Sequence, residues 1–350
     1  HLHLRLSNPA PPQHVRQQNA APDRTMKSMT TSPQSQAGTE TKSVLEEPAP
    51  AFSIREAEAV ARRAFDIQAS AQPLDSERDQ NFHLRAKDGH EWVLKIANPA
   101  ENPALLDMQT KAMLHIAEAD PSLAIPRIKT TPDGARFHEI DGDDCRRFIV
   151  RVLSYLPGQL LDDAKLHPAL LRDVGAMAAR LARAMRGFFH PSGRHELLWD
   201  ITQASALRAR THHIEDQARR RIVEEVLDHL DAEVLPKLNL LRAQIIHNDV
   251  SRLNTLVDGN QVSGVIDFGD LIHAPLVCDL AVPIAELIRV HPDPIAAAAE
   301  ITAGYHAVTA LEDDELRLIF DIAATRCAIE IAVANWRVCD HPENADYIMA

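Results

Sequence analysis

Two short segments in the second half of the sequence carry side chains that could transfer a phosphoryl group. The first runs from His247 to Asn254 and contains Asp249. The second, residues 265–270, ends an apolar stretch and contains Asp267. Phosphoryl transfer needs an acceptor hydroxyl held in line and metal ions that neutralise phosphate charge. Asp249 can accept the hydroxyl proton, whereas the oxygens of Asn254 and Asp267 are hard ligands that suit Mg²⁺. Together the segments predict a catalytic base beside a magnesium site.

The elements around these segments would bring their side chains together. An apolar strand predicted at residues 243–246 leads into the first segment, and strands at 255–257 and 262–266 flank a turn at residues 258–260. A hairpin of this kind places the ends of the two segments side by side. The alternative is an ordinary polar loop next to a hairpin, because the His-x-Asp-x-x-x-x-Asn pattern alone recurs by chance. The second acidic segment at the end of the hairpin favours the catalytic interpretation.

The pair of segments resembles the catalytic and metal loops of the aminoglycoside phosphotransferase and choline kinase family. Within it, the similarity is greatest to hydroxylysine kinase and related amino-alcohol kinases, and it covers about residues 52–350. The resemblance implies an α+β, two-lobed protein-kinase-like fold with a small β-rich N-lobe and a larger, mostly helical C-lobe. It also implies Mg²⁺, ATP or GTP as phosphoryl donor, and a small hydroxylated amine or amino acid as acceptor.

Three blocks in the first half extend the resemblance to nucleotide binding. Residues 75–82 resemble the turn that covers the phosphates, and residues 92–95 resemble the strand with the phosphate-binding lysine. Residues 154–158 resemble the link between the lobes, where main chain meets adenine. The nucleotide-binding residues that the resemblance implies are Ser76, Gln80, Asn81, Lys95, Ser154, Tyr155 and Leu156.

Lys95 is a point charge on a strand, able to reach α- and β-phosphate oxygens. A surface lysine on an edge strand is the alternative, which its apolar neighbours disfavour because they imply a buried strand. The family pattern places a helical glutamate beside this lysine, and the matching position here is Gln109. Glu101 or Asp107 could take the place of that glutamate.

Two residues are expected to brace the catalytic loop. Asp279 resembles the family's loop-bracing acid, although a plain helix N-cap is the alternative. His247 is expected to hydrogen-bond the backbone rather than to transfer a proton. The sequence departs from the family pattern at two further places. The phosphate turn at 75–82 has no glycine, unlike the loop of protein kinases, and Asn248 stands where the wider family has glycine.

The last predicted helix carries candidate substrate-binding residues. Arg326, Glu330 and Arg337 are spaced by four and seven positions and therefore share one face. An amino acid presents a carboxylate and an ammonium group, which Arg326 and Glu330 could bind. The competing interpretation, which the spacing favours slightly, is a surface i,i+4 salt bridge between these two side chains.

The overall composition narrows the classes of partner. The chain has 350 residues, of which 45% are hydrophobic, and a formal net charge of -13. An acidic surface repels phosphate backbones, so we expect no nucleic-acid partner. No apolar run approaches the roughly 20 residues of a membrane span, and the four cysteines form no CxxC pair. We therefore expect a cytoplasmic protein without a membrane partner or a disulfide framework.

Three regions follow from composition and periodicity. Residues 1–50, rich in Pro, Gln, Ser and Thr, predict a disordered tail. Residues 51–156 predict the nucleotide-binding N-lobe, and residues 157–350 the helical C-lobe with the catalytic, metal and substrate residues. The N-lobe elements are a capped helix at 53–64, strands at 81–86, 91–97 and 148–156, and a helix at 103–119. The C-lobe helices are predicted at 165–189, 203–234, 277–289, 294–309 and 312–338.

The sequence thus supports one principal function and two rivals. The principal hypothesis is an ATP-dependent kinase for a hydroxyl of a small amine or amino acid, similar to hydroxylysine kinase. The rivals are an aminoglycoside- or choline-type kinase, and a nucleotide-binding regulatory module without catalysis, which Gln109 and the glycine-free turn motivate. Similar kinase modules occur fused ahead of class III aminotransferases, so a fused or partner aminotransferase is a further expectation, although no pyridoxal-phosphate lysine motif is recognisable here.

Overall fold

A computed structural model of the protein describes residues 49–74, 76, 78–142 and 146–340. The tail predicted at residues 1–50 therefore lies outside the described residues, apart from its last two positions. The same holds for Asp75 and Glu77 of the predicted phosphate turn.

An antiparallel sheet with two helices forms the N-terminal part of the described chain. The strand order is β1-β2-β3-β6-β4, and β5 also pairs with β6. The strands are β1 (Ala69–Leu74), β2 (Gln80–Ala86), β3 (Glu91–Ile96), β4 (Ile128–Lys129), β5 (His138–Asp141) and β6 (Arg147–Ser154). The helices are α1 (Ile54–Phe65) and α2 (Pro103–Ala119).

Helix α1 covers one face of this sheet. Its first turn is closed by the predicted capping box, in which Ser53 and Glu56 exchange side-chain to main-chain hydrogen bonds. The buried side of the helix, with Ala57 and Ala61, packs against a cluster of strand residues: Phe82, Leu84, Leu94, Ile96, Val150 and Val152. Since side chains alternate along a strand, the intervening residues must face the other way.

The opposite face of the sheet carries polar side chains in one row. Lys95 on β3 lies between Asn81 on β2 and Arg151 on β6 in the strand register. Side chains directly opposite one another across an antiparallel pair point to the same face. The three residues therefore form a row that looks away from α1.

The C-terminal part is mostly helical and contains the larger core. A Cβ on Gly304 would lie 1.9 Å from the Arg172 carbonyl oxygen, so helices α3 and α7 touch through their backbones. Among the described residues, no helix has both the length and the apolar character to cross a membrane. The helices are α3 (Pro168–Ala184), α4 (Gln217–His229), α5 (Leu235–Leu238), α6 (Leu276–Ile288), α7 (Pro294–Val308) and α8 (Asp313–Asp340).

Five short strands hold the two predicted segments in place. Strand β10 pairs with β9, which also pairs with β7, while β11 pairs with β8. The first segment leaves β8 and enters β9, and the second leaves β10 and enters β11, so each segment is tied at both ends. The strands are β7 (Gln159–Leu160), β8 (Ala243–Ile246), β9 (Thr255–Asp258), β10 (Gln261–Val265) and β11 (Ile272–Pro275).

The expected fold class is confirmed: an antiparallel-sheet region precedes a helical region. Helix 203–234 was predicted as one element, but this is wrong. A 3-10 stretch covers Ile201–His213, and α4 starts anew because Asp216 caps it through the N–H groups of Ala218 and Arg219. Sequence patterns do not predict the short strands β1, β4, β5, β7 and β11, of which β1 and β11 contain proline. The lobe boundary at residue 156 stays a prediction.

Candidate active site

The loop at residues 247–254, which the sequence predicts to be catalytic, begins with a fully buried histidine. The His247 ring packs edge-on against Phe268, with 4.7 Å between the ring centroids. Burial lowers the pKa of His247 to about 4, so its ring is neutral near pH 7. Its Nδ1 accepts the N–H of Asp249 at 3.3 Å. His247 therefore contacts the loop backbone.

Asp279 reaches the same loop from helix α6. Its Oδ1 accepts the Asn248 N–H at 2.7 Å, and the residue is fully buried. The plain N-cap interpretation is wrong, because Pro275 occupies the N-cap of α6 and Asp279 lies within the first turn. Burial raises the pKa of Asp279 to about 7, and the main-chain N–H groups of Asn248 and His247 oppose that rise.

Asn248 has a left-handed backbone, with φ of 63°. Asparagine tolerates this conformation better than most residues other than glycine. This explains why asparagine can stand where the wider family has glycine. The backbone conformation, rather than the side chain, is what the position requires.

Asp249 contacts this buried support through its N–H and the predicted metal ligand Asn254 through its carboxylate. Its Oδ2 accepts a hydrogen bond from the side-chain amide of Asn254. Withdrawal from water raises the pKa of Asp249 to about 7; the negative charges of Asp270 and Asp267 act in the same direction, and Arg326 opposes them. A carboxylate with a pKa near neutrality is well matched to accepting a proton.

Asn254 and Asp267 lie side by side, as the predicted hairpin requires. The Ile266 N–H donates to the Asn254 carbonyl at 2.9 Å, which extends the β9–β10 pairing by one step. Asp267 has a left-handed φ of 57°, and its Oδ1 accepts the Gly269 N–H at 2.8 Å. Lys95, 3.6 Å away, holds the pKa of Asp267 well below its usual range.

These two side chains fit a hard divalent cation. The Asp267 side chain is 42% exposed, so its carboxylate is open to a ligand. The side-chain nitrogen of Asn254 is directed at Asp249, and within the described part of the chain its side-chain oxygen Oδ1 accepts no hydrogen bond. No group of three or more His, Cys, Asp or Glu among the described residues could hold a metal alone. Water and phosphate would have to complete the shell, as Mg²⁺ prefers.

Lys95 has acidic partners, but the helix does not supply them. Its Nζ lies 3.6 Å from Asp267 Oδ2 and 3.8 Å from Asp79 Oδ2. The expected helical partner, Gln109, instead accepts a hydrogen bond from Arg151 at 2.8 Å. Neither suggested substitute takes its place. Asp107 pairs with Lys111 and His190, and Glu101 forms no ion pair with Lys95. The surface-lysine alternative is wrong as well, since the Lys95 side chain is only 14% exposed.

Arg151 is a buried cation directly opposite Lys95 in the sheet. Only 3% of the residue is exposed, and its hydrogen-bond partner Gln109 is neutral. Burial lowers the pKa of Arg151, and Asp79, Asp267 and Glu101 oppose this from a distance. Gln109 thus bonds Arg151 rather than Lys95, whose ion-pair partners are Asp79 and Asp267.

The phosphate turn divides its predicted residues between two faces. Asn81 shares the face of Lys95, and its buried Oδ1 accepts no hydrogen bond from any described residue. Gln80 faces the other way, and its amide exchanges two hydrogen bonds with the main chain of Phe52, at 2.7 and 2.8 Å. Strand alternation thus directs the Gln80 side chain toward α1, and a role for Gln80 in nucleotide binding stays a prediction. Ser76 is exposed.

The link between the two parts of the chain has one open main-chain donor. The Ser154 N–H donates to Arg127 and the Tyr155 N–H to Glu91. Within the described chain, no hydrogen bond engages the Leu156 N–H. The Tyr155 ring stacks on His83, with 4.0 Å between centroids, which gives this end of the site an aromatic wall.

Arg326 and Glu330 on α8 form a buried pair. Arg326 Nε lies 3.4 Å from Glu330 Oε1, and the side chains are 5% and 11% exposed. The i,i+4 salt bridge is thus present, but it is not on the surface. Arg326 also donates to the Trp199 carbonyl at 3.0 Å, and its charge lowers the pKa of Asp249 against the effect of burial. Arg326 therefore belongs to the electrostatic surroundings of Asp249.

The sequence pattern of the phosphotransferase enzyme family designated APH matches residues 70–318. The matched part contains the Lys95 strand, the catalytic loop and the metal-binding segment. The chain belongs to this family. It is accordingly a small-molecule kinase, an enzyme that transfers a phosphoryl group to a hydroxyl.

Relatives of this APH phosphotransferase include hydroxylysine kinase of Danio rerio, 31% identical over 305 residues that cover 83% of this chain and 85% of the relative. The solved structure of amicoumacin kinase with AMP-PNP and Ca²⁺ has a TM-score of 0.65 at 14% identity, covering 85% of this chain and 92% of that one. A microcompartment-associated aminopropanol kinase has a TM-score of 0.63 at 18% identity, covering 85% and 99%. The two structures show the kinase-like fold.

Four residues of the phosphotransferase site escaped the sequence analysis: Arg78, Asp79, His83 and Arg151. Alternation along β2 could have placed His83 on the Lys95 face, since it lies two residues from Asn81. Arg151 follows from the same alternation on β6. By contrast, Arg78 and Asp79 sit in a turn, where no periodicity predicts the direction of a side chain.

The left-handed backbone at Asn248 generates a prediction. Asn248→Gly should keep both the melting temperature and kcat, because glycine adopts this conformation freely. Asn248→Val should cost about 1–2 kcal/mol, lower Tm by roughly 2–8 °C, and reduce kcat by displacing Asp249. Thermal unfolding and steady-state kinetics measure both effects. Asn239→Val, at an exposed position with φ of -67°, is the control; equal behaviour of the two valine variants would contradict the argument.

Proposed function

We propose that this protein phosphorylates the side-chain hydroxyl of a hydroxylated amino acid, with hydroxylysine as the leading acceptor and ATP or GTP as donor. One observation carries the proposal: Asp249 accepts a hydrogen bond from the amide of an amide–carboxylate pair suited to a metal, and the arginine of a buried arginine–glutamate pair suited to an amino acid lowers its pKa. The first pair is Asn254 and Asp267, and the second is Arg326 and Glu330. The hydroxylysine kinase of Danio rerio supports the choice of acceptor.

Asp249 acts as the acceptor of the hydroxyl proton and as the group that aligns the attacking oxygen. Its pKa of about 7 lets it hold a proton that an ordinary aspartate would not retain. The Asn254 amide fixes the rotation of the Asp249 carboxylate by donating to Oδ2. Because the transition state of phosphoryl transfer is loose, this alignment contributes at least as much as proton removal.

Asp267 and Asn254 would hold Mg²⁺, which neutralises charge on the β- and γ-phosphates when bound. Lys95 contacts the α- and β-phosphate oxygens from strand β3. The open N–H of Leu156 donates to the adenine ring, and Tyr155 limits its movement. The uncharged side chain of Asn81, next to Lys95 on the same face of the sheet, completes the phosphate side of the site.

Arg326 and Glu330 recognise the acceptor. The guanidinium binds the substrate carboxylate, which a planar fork of N–H donors suits. Burial raises the pKa of Glu330, and the nearby Glu286 adds to this effect, while Arg326 and Arg289 oppose it. A substrate ammonium would bring a further positive charge to this carboxylate and stabilise its ionised form.

The rival functions predict different outcomes of one assay. An aminoglycoside- or choline-type kinase would turn over those acceptors and leave hydroxylated amino acids untouched. A regulatory module would bind nucleotide without turnover, which the presence of Asp249, Asn254 and Asp267 argues against. A fused or partner aminotransferase stays a prediction.

The first test is an acceptor screen. With Mg·ATP and Mg·GTP, we expect phosphorylation of 5-hydroxylysine above ethanolamine, choline, homoserine and kanamycin, measured by release of nucleoside diphosphate. Asp249→Asn is the matched control, since it keeps the shape but cannot accept the proton. Its kcat should fall by about 10²–10⁴-fold, with unchanged affinity for ATP by calorimetry. Preferred turnover of another acceptor, or kcat retained within a few-fold in Asp249→Asn, would contradict the proposal.

Asp267 provides a test of the metal site. Asp267→Asn keeps the side-chain size and removes the charge, so turnover should be lost at limiting Mg²⁺ and only partly restored by excess. Asp258→Asn, an exposed carboxylate on the same hairpin, should behave like the wild type. A Mg²⁺ titration of the initial rate compares the three proteins. Unaltered Mg²⁺ dependence in Asp267→Asn would remove this residue from the metal site.

Arg326 separates acceptor recognition from catalysis. Arg326→Gln should raise the KM for 5-hydroxylysine by about tenfold or more, because a charge-assisted hydrogen bond contributes about 1.5–3 kcal/mol, while the KM for ATP stays unchanged. The decarboxylated analogue of hydroxylysine should show no such change. Arg317→Gln on the same helix, where the side chain is 69% exposed, is the control. If the KM rises equally for 5-hydroxylysine and for its decarboxylated analogue, Arg326 only supports the fold.

A further inference from the structure

The turn between β1 and β2 reaches the metal-binding segment through Arg78. Arg78 Nη2 lies 3.1 Å from Asp270 Oδ1, a contact between residues 192 positions apart in the chain. A Cβ on Gly269 would lie 3.2 Å from the same nitrogen and 3.0 Å from Asp267 Oδ1. The guanidinium therefore lies directly over the segment that contains Asp267. Glycine at position 269 permits this close approach.

The base of the turn is fastened independently of that contact. Asp79 Oδ1 accepts the Asn98 N–H at 3.2 Å, and the Asn98 side-chain amide donates to the Arg78 carbonyl at 3.3 Å. Asp79 also lies 3.8 Å from Lys95. The main chain at Arg78 is therefore held to the segment after β3, so its side chain does not have to secure the turn.

Most of the donors of Arg78 are unused within the described chain. Arginine has five N–H donors in a planar fork, and the Asp270 contact engages one of them. The side chain is 32% exposed, so the remaining donors are accessible. Lys95 and Arg78 both lower the pKa of Asp267, which places two cations around the carboxylate proposed as the metal ligand.

We propose that Arg78 binds the β- and γ-phosphate oxygens of the donor nucleotide and replaces the main-chain amides that a glycine-rich turn would offer. The inference rests on the proposed function, because it assumes a nucleoside triphosphate beside Asp267. Arg78 exchanges Asp270 for phosphate when nucleotide is present, and its fork can donate hydrogen bonds to two oxygens of one phosphate. The glycine-free turn is thus compatible with catalysis, since a side chain supplies the donors.

The competing role is a simple ion pair that joins the two parts of the chain. An ion pair of this kind would affect all nucleotides alike, whereas a phosphate contact discriminates between nucleotides by the number of phosphates. It would also make the loss of Arg78 and the loss of Asp270 weaken nucleotide binding to the same extent. The two roles therefore differ in the affinities for ATP and AMP and in the effect of changing Asp270.

Calorimetry with Mg·ATP, Mg·GTP and the two monophosphates, without acceptor, tests the proposal on the full chain. Arg78→Gln should weaken triphosphate binding by about ten- to hundredfold, as expected for a lost charge-assisted hydrogen bond, and change monophosphate binding by less than about twofold. Arg78→Lys should fall between, because it keeps the charge but loses the fork. Arg85→Gln, on the same sheet and 55% exposed, should match the wild type.

Asp270→Asn distinguishes the two roles, and measurements in EDTA remove any contribution of the metal. We expect this variant to bind ATP in EDTA at least as tightly as the wild type, because Arg78 is released for phosphate. Equal weakening by Asp270→Asn and Arg78→Gln, or equal losses for ATP and AMP, would overturn the proposal. So would unchanged ATP affinity in both Arg78 variants. The readout needs no acceptor, so failure of the acceptor screen alone would leave this inference intact.

Discussion

The ionised carboxylate of Asp267 is where the two parts of the chain meet electrostatically. Lys95 reaches it from the central strand of the N-terminal sheet, Arg78 approaches it from the β1–β2 turn, and both keep its pKa low. Its left-handed backbone is a local strain that persists because the surrounding structure holds both ends of the segment. Strand pairing on the helical side and sheet register on the other side must therefore both be correct before the cations and the carboxylate can meet.

A second group of acids lies in the opposite electrostatic environment. Asp279 is fully buried and Asp249 half-buried, and desolvation raises the pKa of each to about 7, whereas Asp267 is open to solvent and next to Lys95. Carboxylates whose surroundings push their pKa values apart can take different tasks within one site. Here that division agrees with the proposed roles: the charged, open carboxylate suits a metal, and the less acidic Asp249 suits a proton. Asp279, which accepts the Asn248 N–H, supports the loop between them.

Much of the fold and of the candidate site could be predicted because the relevant signals are local. Helix α2 was predicted with its observed ends, since Asn102 caps it and proline occupies its first turn. The β9–β10 hairpin follows from its turn residues, and its register places Asn254 next to Asp267. Helical periodicity does not predict the break between the 3-10 stretch and α4, because capping by Asp216 competes with it and ends the continuous helix.

Residue types and their spacing are enough to predict which side chains could take part in phosphoryl transfer and how the hairpin joins two of them. The partners of these side chains depend on packing between distant elements. This packing pairs Gln109 with Arg151 instead of Lys95, gives Lys95 the turn residue Asp79, and buries the salt bridge of Arg326. The physical reason is that spacing along one element fixes the direction of a side chain relative to its neighbours in sequence. Which charge it meets depends on how separate elements pack, and desolvation at that contact sets its pKa.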